Sequence, residues 1–120
     1  MFTLEVEKTF TASHQLLLRD GPEDRHEHDW VVKVAVSSEE LDKYGLVIDF
    51  HELKRILDQE TEKFHSLNLE DMQCFKNINV SAENLAKYLF ISIEKQLKEQ
   101  VKLKYVQITE EPGCKVTYSR

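Results

Sequence analysis

The chain has 120 residues, 41% hydrophobic and 32% charged, with a formal net charge of −6 from 16 basic and 22 acidic side chains. That size and balance are expected of one globular domain, residues 1–120, with enough apolar side chains for its own core. The acidic excess argues against nucleic acid or an anionic membrane as partner, and no apolar run approaches the roughly 18 residues of a membrane span. The two cysteines, Cys74 and Cys114, lie outside any C-x-x-C pattern and read as reduced thiols. MFTLEVEKTF at the start alternates apolar and polar residues rather than forming a basic, then apolar leader, so a cytoplasmic location is expected.

Phe2, Leu4, Val6, Phe10 and Ala12 alternate with Thr3, Glu5, Glu7, Thr9 and Thr11, and this period of two predicts a half-buried strand. His14 shares the parity of Phe10 and Ala12. The triplet DGP (20–22) breaks the chain and predicts a loop. A second strand follows, with Trp30, Val32, Val34 and Val36 on one face, and His26 and His28 share that parity. Antiparallel pairing sets the end of one strand beside the start of the next, so the three histidines are expected at one end of the sheet. Parity sets the side each ring faces and leaves the register between the strands open.

Residues 37–45 form a polar connection. Asp49 suits a helix N-cap, with Glu52 three residues later as its capping-box partner, and Phe50, Leu53, Ile56, Leu57 and Phe64 follow helical spacing. Residues 66–79 carry no periodicity and are expected to be irregular. A second helix is predicted from Ser81, with Leu85, Leu89, Ile93 and Leu97 as its stripe and Ala86 and Phe90 widening it. LKYVQIT and KVTYS predict two last strands joined by a turn at Glu111-Pro112-Gly113. The order β-β-α-α-β-β predicts an α+β fold, an antiparallel sheet with both helices on one face.

The chemistry-bearing pattern is the stretch PEDRHEHDW (22–30). An H-x-H pair on a strand puts both rings on one face, where both can reach one ion, and His14 is the natural third ligand. Three imidazoles with a fourth position open is the arrangement of catalytic zinc. The plainer alternative is a polar strand end with hydrated histidines.

FTASH (10–14), HEH (26–28), GLVIDFHELK (45–54), FHSLN (64–68), NVSAEN (79–84) and ITEE (108–111) resemble, in order, landmarks of the 6-pyruvoyl- and 6-carboxy-tetrahydropterin synthase family. The resemblance spans nearly the whole chain and implies that family's tunnelling fold. It implies zinc on His14, His26 and His28, and a pterin substrate anchored by Glu110, whose carboxylate can accept two parallel hydrogen bonds from the 2-amino group and a ring N–H. Ser81 falls where the family has a substrate-binding threonine; a helix N-cap is its alternative role, and the two are compatible. An exposed strand-end acid is the alternative for Glu110. The resemblance also implies self-association as a trimer or hexamer, with sites between subunits.

Three departures bear on catalysis. The family's cysteine, four residues before the H-x-H, is Pro22 here, and Glu27 replaces the glycine between the histidines. Lys63 and Phe64 stand where the family has an Asp-His pair, and His65 comes one residue later. Glu23, however, completes an E-x-x-H-x-H pattern that resembles a branch of the family with a glutamate in the cysteine's role. That branch cleaves the dihydroneopterin side chain to 6-hydroxymethyl-dihydropterin. Glu23, Glu110 and His65 are therefore the candidate catalytic residues. Their alternatives are one more acid in an acidic run for Glu23 and a surface loop residue for His65. The function expected is a zinc-dependent carbon–oxygen or carbon–carbon lyase acting on dihydroneopterin or its triphosphate. The competing reading is a zinc- and pterin-binding protein that has lost its catalytic groups.

Overall fold

A computed structural model describes residues 1–120. In chain order the elements are β1 (Phe2–His14), β2 (Leu17–Leu18), β3 (Gly21–Pro22), β4 (His26–Ser38), α1 (Phe50–Glu62), α2 (Ala82–Glu94), β5 (Lys102–Glu111) and β6 (Cys114–Tyr118), with two short 3-10 turns, Leu69–Asp71 and Gln73–Phe75, between the helices. The alternating runs become long strands. β1 and β4 pair antiparallel without interruption from Phe2 opposite Ser38 to His14 opposite His26. The main sheet has the order β1-β4-β5-β6.

Even-numbered residues of β1 and β4 face the helices. Val6, Phe10, Trp30, Val32 and Val34 join Leu53, Ile56 and Leu57 of α1 and Leu85, Leu89, Phe90 and Ile93 of α2 in one buried cluster. α1 packs on β1 and α2 on β5 and β6, so one face of the sheet carries both helices, as the element order requires. On β5, Val106, Ile108 and Glu110 share the helix-facing parity. The β5–β6 pairing shifts register between Thr109 and Glu111, a bulge that leaves Glu110 outside the regular ladder. Pro112-Gly113 closes that hairpin, with Gly113 at φ +89°, a conformation glycine adopts at no steric cost.

Four local features differ from the sequence expectation. The loop around DGP holds its own two-residue ladder, Leu17 opposite Pro22 and Leu18 opposite Gly21, because Gly21 at φ +111° permits the reversal. Asp49 does cap α1, accepting from the His51 backbone N–H at 2.8 Å, but the reciprocal capping box is not made. Glu52 turns instead to Arg55 one turn along, which donates to both of its carboxylate oxygens. Phe50 is exposed, and Phe64 and Leu97 lie beyond the ends of their helices.

Phe64 is fully buried all the same, against Phe10, Phe75 and Tyr88. The chain then turns at Ser66, at φ +62°, and runs along the outer edge of β1. Ser66 N–H donates to Thr11 O, Ser13 N–H donates to Leu67 O, and Thr11 N–H donates to His65 Nδ1 at 3.3 Å. Residues 65–68 thus strap the last part of the β1 edge. Removing the ring that holds this strap is expected to be costly. Phe64→Ala should lower the free energy of unfolding by about 3–5 kcal/mol, read as a shift in the urea midpoint with an unchanged slope.

Candidate functional site

The register of β1 on β4 settles what parity left open. His14 stands directly opposite His26, and Ala12 opposite His28, at the open end of the sheet. Their ring centroids lie 4.5 Å (His14–His26), 5.2 Å (His14–His28) and 4.5 Å (His26–His28) apart. Trp30 forms the floor, edge-on to His14 and His28, with its indole N–H donated to Ala12 O at 3.1 Å. The bulge on β5 brings Glu110 into the same place, with Oε1 3.2 Å from His14 Nε2 and 3.9 Å from His28 Nε2. One ligand atom from each of these four residues lies within 4.8 Å of the others.

The tautomers follow from the partners. His14 Nδ1 lies 2.8 Å from Val80 O and His26 Nδ1 2.9 Å from Asp24 O. A carbonyl only accepts, so each Nδ1 carries a proton and each ring turns its Nε2 toward the centre of the cluster. Those two Nε2 atoms are 2.9 Å apart. Two such nitrogens, each bearing a lone pair, would repel at that distance unless a cation lay between them. A shared proton would satisfy two nitrogens, but His28 Nε2 is buried nearby with no hydrogen-bond partner, and a carboxylate converges from the fourth side. Three imidazoles and a carboxylate around one point are a donor set for a metal ion. Burial pushes the His28 pKa below its ordinary value, with His26 and His14 adding to the effect and Glu110 opposing it. That keeps the ring neutral, as a ligand must be.

The other sequence candidates fall at different distances from this cluster. Glu23 is beside it: Oε1 lies 3.7 Å from His26 Nδ1 and accepts from Leu16 N–H at 3.3 Å. Its backbone is pinned by Gln15, whose amide donates to Glu23 O at 2.9 Å. Ser81 caps α2, accepting from Asn84 N–H at 3.1 Å, and follows directly on Val80, the carbonyl partner of His14. His65 does not join the cluster within the chain. It is exposed in the strap, beside Lys8, Thr9 and Glu62. Lys63 donates to the buried Glu60 at 2.5 Å, and this bond raises the lysine pKa. A cleft of about 410 Å³ lies between the ends of β4 and β5, lined mostly by side chains of the sheet face away from the helices, Glu27, Asp29, Thr109 and Glu111 among them, and shares His28 and Glu110 with the cluster. The place of Glu110 in the histidine cluster is legible after the fact in its parity with Val106 and Ile108. The backbone carbonyls of Asp24 and Val80 had no sequence signal at all.

The family model described as 6-pyruvoyl tetrahydropterin synthase matches residues 3–120. The chain belongs to the 6-pyruvoyl tetrahydropterin synthase family. A dihydroneopterin monophosphate aldolase of Pyrococcus furiosus is 30% identical over 102 residues, 85% of this chain and 83% of that protein. A 6-pyruvoyl tetrahydrobiopterin synthase of Drosophila melanogaster is 32% identical over 95 residues, 78% of this chain but 56% of that protein, so the chain spans little more than half of that relative. The structure of the Caenorhabditis elegans 6-pyruvoyl tetrahydropterin synthase superposes with a TM-score of 0.86 at 26% identity, covering 99% of this chain and 95% of that one. The sheet with two helices on one face is the tunnelling fold of this synthase family.

The histidine cluster makes a direct test available. His26→Ala and His28→Ala should each bring the metal found by elemental analysis close to zero per chain, whereas His65→Ala should leave it at the wild-type level. Chelator should lower the thermal midpoint of the wild type and not of the His28→Ala variant, because an ion that binds only the folded state stabilises it.

Proposed function

We propose that the protein is a zinc-dependent pterin lyase that cleaves the side chain of 7,8-dihydroneopterin or a phosphate ester of it. The observation that carries this reading is the convergence of His14, His26, His28 and Glu110 at one end of the sheet, with Glu23 beside them. Zinc held by the three histidines would act there as a Lewis acid on the substrate's side-chain hydroxyls. Glu110 orients the ring, its two oxygens accepting from the 2-amino group and the adjacent ring N–H. Ser81 offers its hydroxyl at the α2 N-terminus. Glu23 takes the proton of the second side-chain hydroxyl. The bond between the first and second side-chain carbons then breaks, leaving a two-carbon aldehyde. The electron pair passes to the first carbon, next to the ring imine, and protonation there gives 6-hydroxymethyl-dihydropterin. A general base in reach of that hydroxyl is worth about 10²–10⁴-fold.

Glu23→Gln is expected to abolish turnover of dihydroneopterin, followed by chromatography, while zinc content and pterin binding stay near wild type. Glu110→Gln should keep the metal and weaken pterin binding; loss of metal in that variant would make Glu110 a fourth ligand instead of the ring anchor. A second reading has its own observations: Lys63 is ion-paired, Phe64 is in the core and His65 is exposed, so none of the three supplies the family's Asp-His pair within the chain. Zinc and pterin bound at one per chain, with no product from dihydroneopterin or its phosphate esters, would establish that non-catalytic binding role.

The proposal includes assembly into a trimer or hexamer. Thr11 turns its backbone groups away from β4 to the strap, so Glu5, Glu7 and Thr9, of the same parity, present theirs outward along an uncovered edge. β6 leaves the opposite edge of the sheet free. Light scattering should therefore give a mass of three or six chains, and Glu7→Pro, which removes one edge donor, should shift it toward the single chain.

A further inference from the structure

The hairpin that carries Glu23 has little apolar anchorage. Leu17 and Leu18, at its tip, are 68% and 50% exposed. Two-residue ladders such as β2–β3 are not stable alone. Its base is closed by Leu16 and Gln15 on Glu23 and by the Arg25–Glu70 pair; the Leu17 strand is tied to the body of the molecule by one side chain distant in sequence. Leu17 N–H donates to Asn79 Oδ1 at 2.9 Å, and Asn79 Nδ2 donates back to Leu17 O at 2.9 Å. The amide thus mimics one rung of a strand. Asn79 is itself held from behind: its carbonyl accepts from Asn84 Nδ2 at 2.8 Å and from Ser81 N–H at 2.9 Å. The next residue, Val80, gives its carbonyl to His14 Nδ1. Residues 79–81 therefore orient a histidine of the cluster, the cap of α2 and the Glu23 hairpin from one short stretch of backbone.

We infer that Asn79 is a positioning residue for the reaction, fixing the hairpin so that Glu23 stands over the histidine cluster. The inference rests on the role of Glu23 proposed above. Its physical basis is that a general base displaced by about 1 Å loses on the order of 10²-fold in rate, although nothing has touched the reacting atoms. Asparagine suits the position because it both accepts from and donates to one peptide unit. Aspartate would keep the bond from Leu17 N–H and lose the one to Leu17 O.

The test joins steady-state kinetics to amide hydrogen exchange on the zinc-loaded protein. Asn79→Ala is expected to lower kcat by about 10- to 100-fold with KM and zinc content unchanged, and Asn79→Asp to fall between it and wild type. Exchange at Leu16, Leu17 and Glu23 should accelerate at least tenfold in Asn79→Ala, while Val32 and Val34 in the central strand keep wild-type protection. Unchanged exchange at the hairpin would overturn the inference. So would faster exchange with wild-type kcat in an enzyme that Glu23→Gln inactivates. If the wild type turns over nothing, it is the proposed reaction that fails, and the exchange result alone decides whether Asn79 holds the hairpin.

Discussion

Two imidazole nitrogens facing each other at 2.9 Å, each with its proton committed to a carbonyl on the other side of the ring, set the terms for this end of the molecule. With both Nε2 atoms unprotonated and nothing between them, that pair is repulsive. It persists because the surrounding structure over-determines both rings. His14 is locked by Val80 O, by the Trp30 edge and by full burial, and His26 by Asp24 O and its place opposite His14 in the ladder. A cation is the one species that turns the arrangement from a cost into a gain. For a metal held there, the partners that fix the rings would serve as the outer shell that keeps the ligating nitrogens in their tautomer.

The rest of the fold supplies what that site needs. An uninterrupted register over the full length of β1 carries His14 to the same level as His26. A one-residue slip would send every side chain of that strand to the opposite face. The bulge at Glu110 serves a different end, taking a carboxylate out of the regular ladder and aiming it at the histidines. The core of Leu, Ile, Phe and Val under the sheet provides the rigidity, and the loops before β4 and α2 bring the groups that vary in chemistry.

Much of this was legible in the sequence, because period two is a direct statement about which side of a sheet a residue faces. The strands, both helices, the caps at Asp49 and Ser81 and the gathering of three histidines all follow from parity, spacing and turn residues. What was not legible depended on contacts without a residue signature. The capping box failed because Arg55 offers Glu52 two charged donors where the cap offers one neutral N–H. The β2–β3 ladder is too short to have a period. His65 falls one residue after the positions of the family's Asp-His pair, yet its backbone belongs to the strap on the outer edge of β1, and no periodicity marks a strap.

Trp30 is the sole tryptophan of the chain, and its ring lies 4.9 Å from His14 and 5.3 Å from His28. An indole in edge contact with an imidazole loses emission when that imidazole becomes cationic, and its spectrum responds when the ring is drawn to an ion. Buried and rigidly held, it has no second tryptophan to dilute its signal. The protein therefore carries an intrinsic optical reporter on the two rings, so the state of the site can be followed by fluorescence without a label, a coloured substrate or turnover.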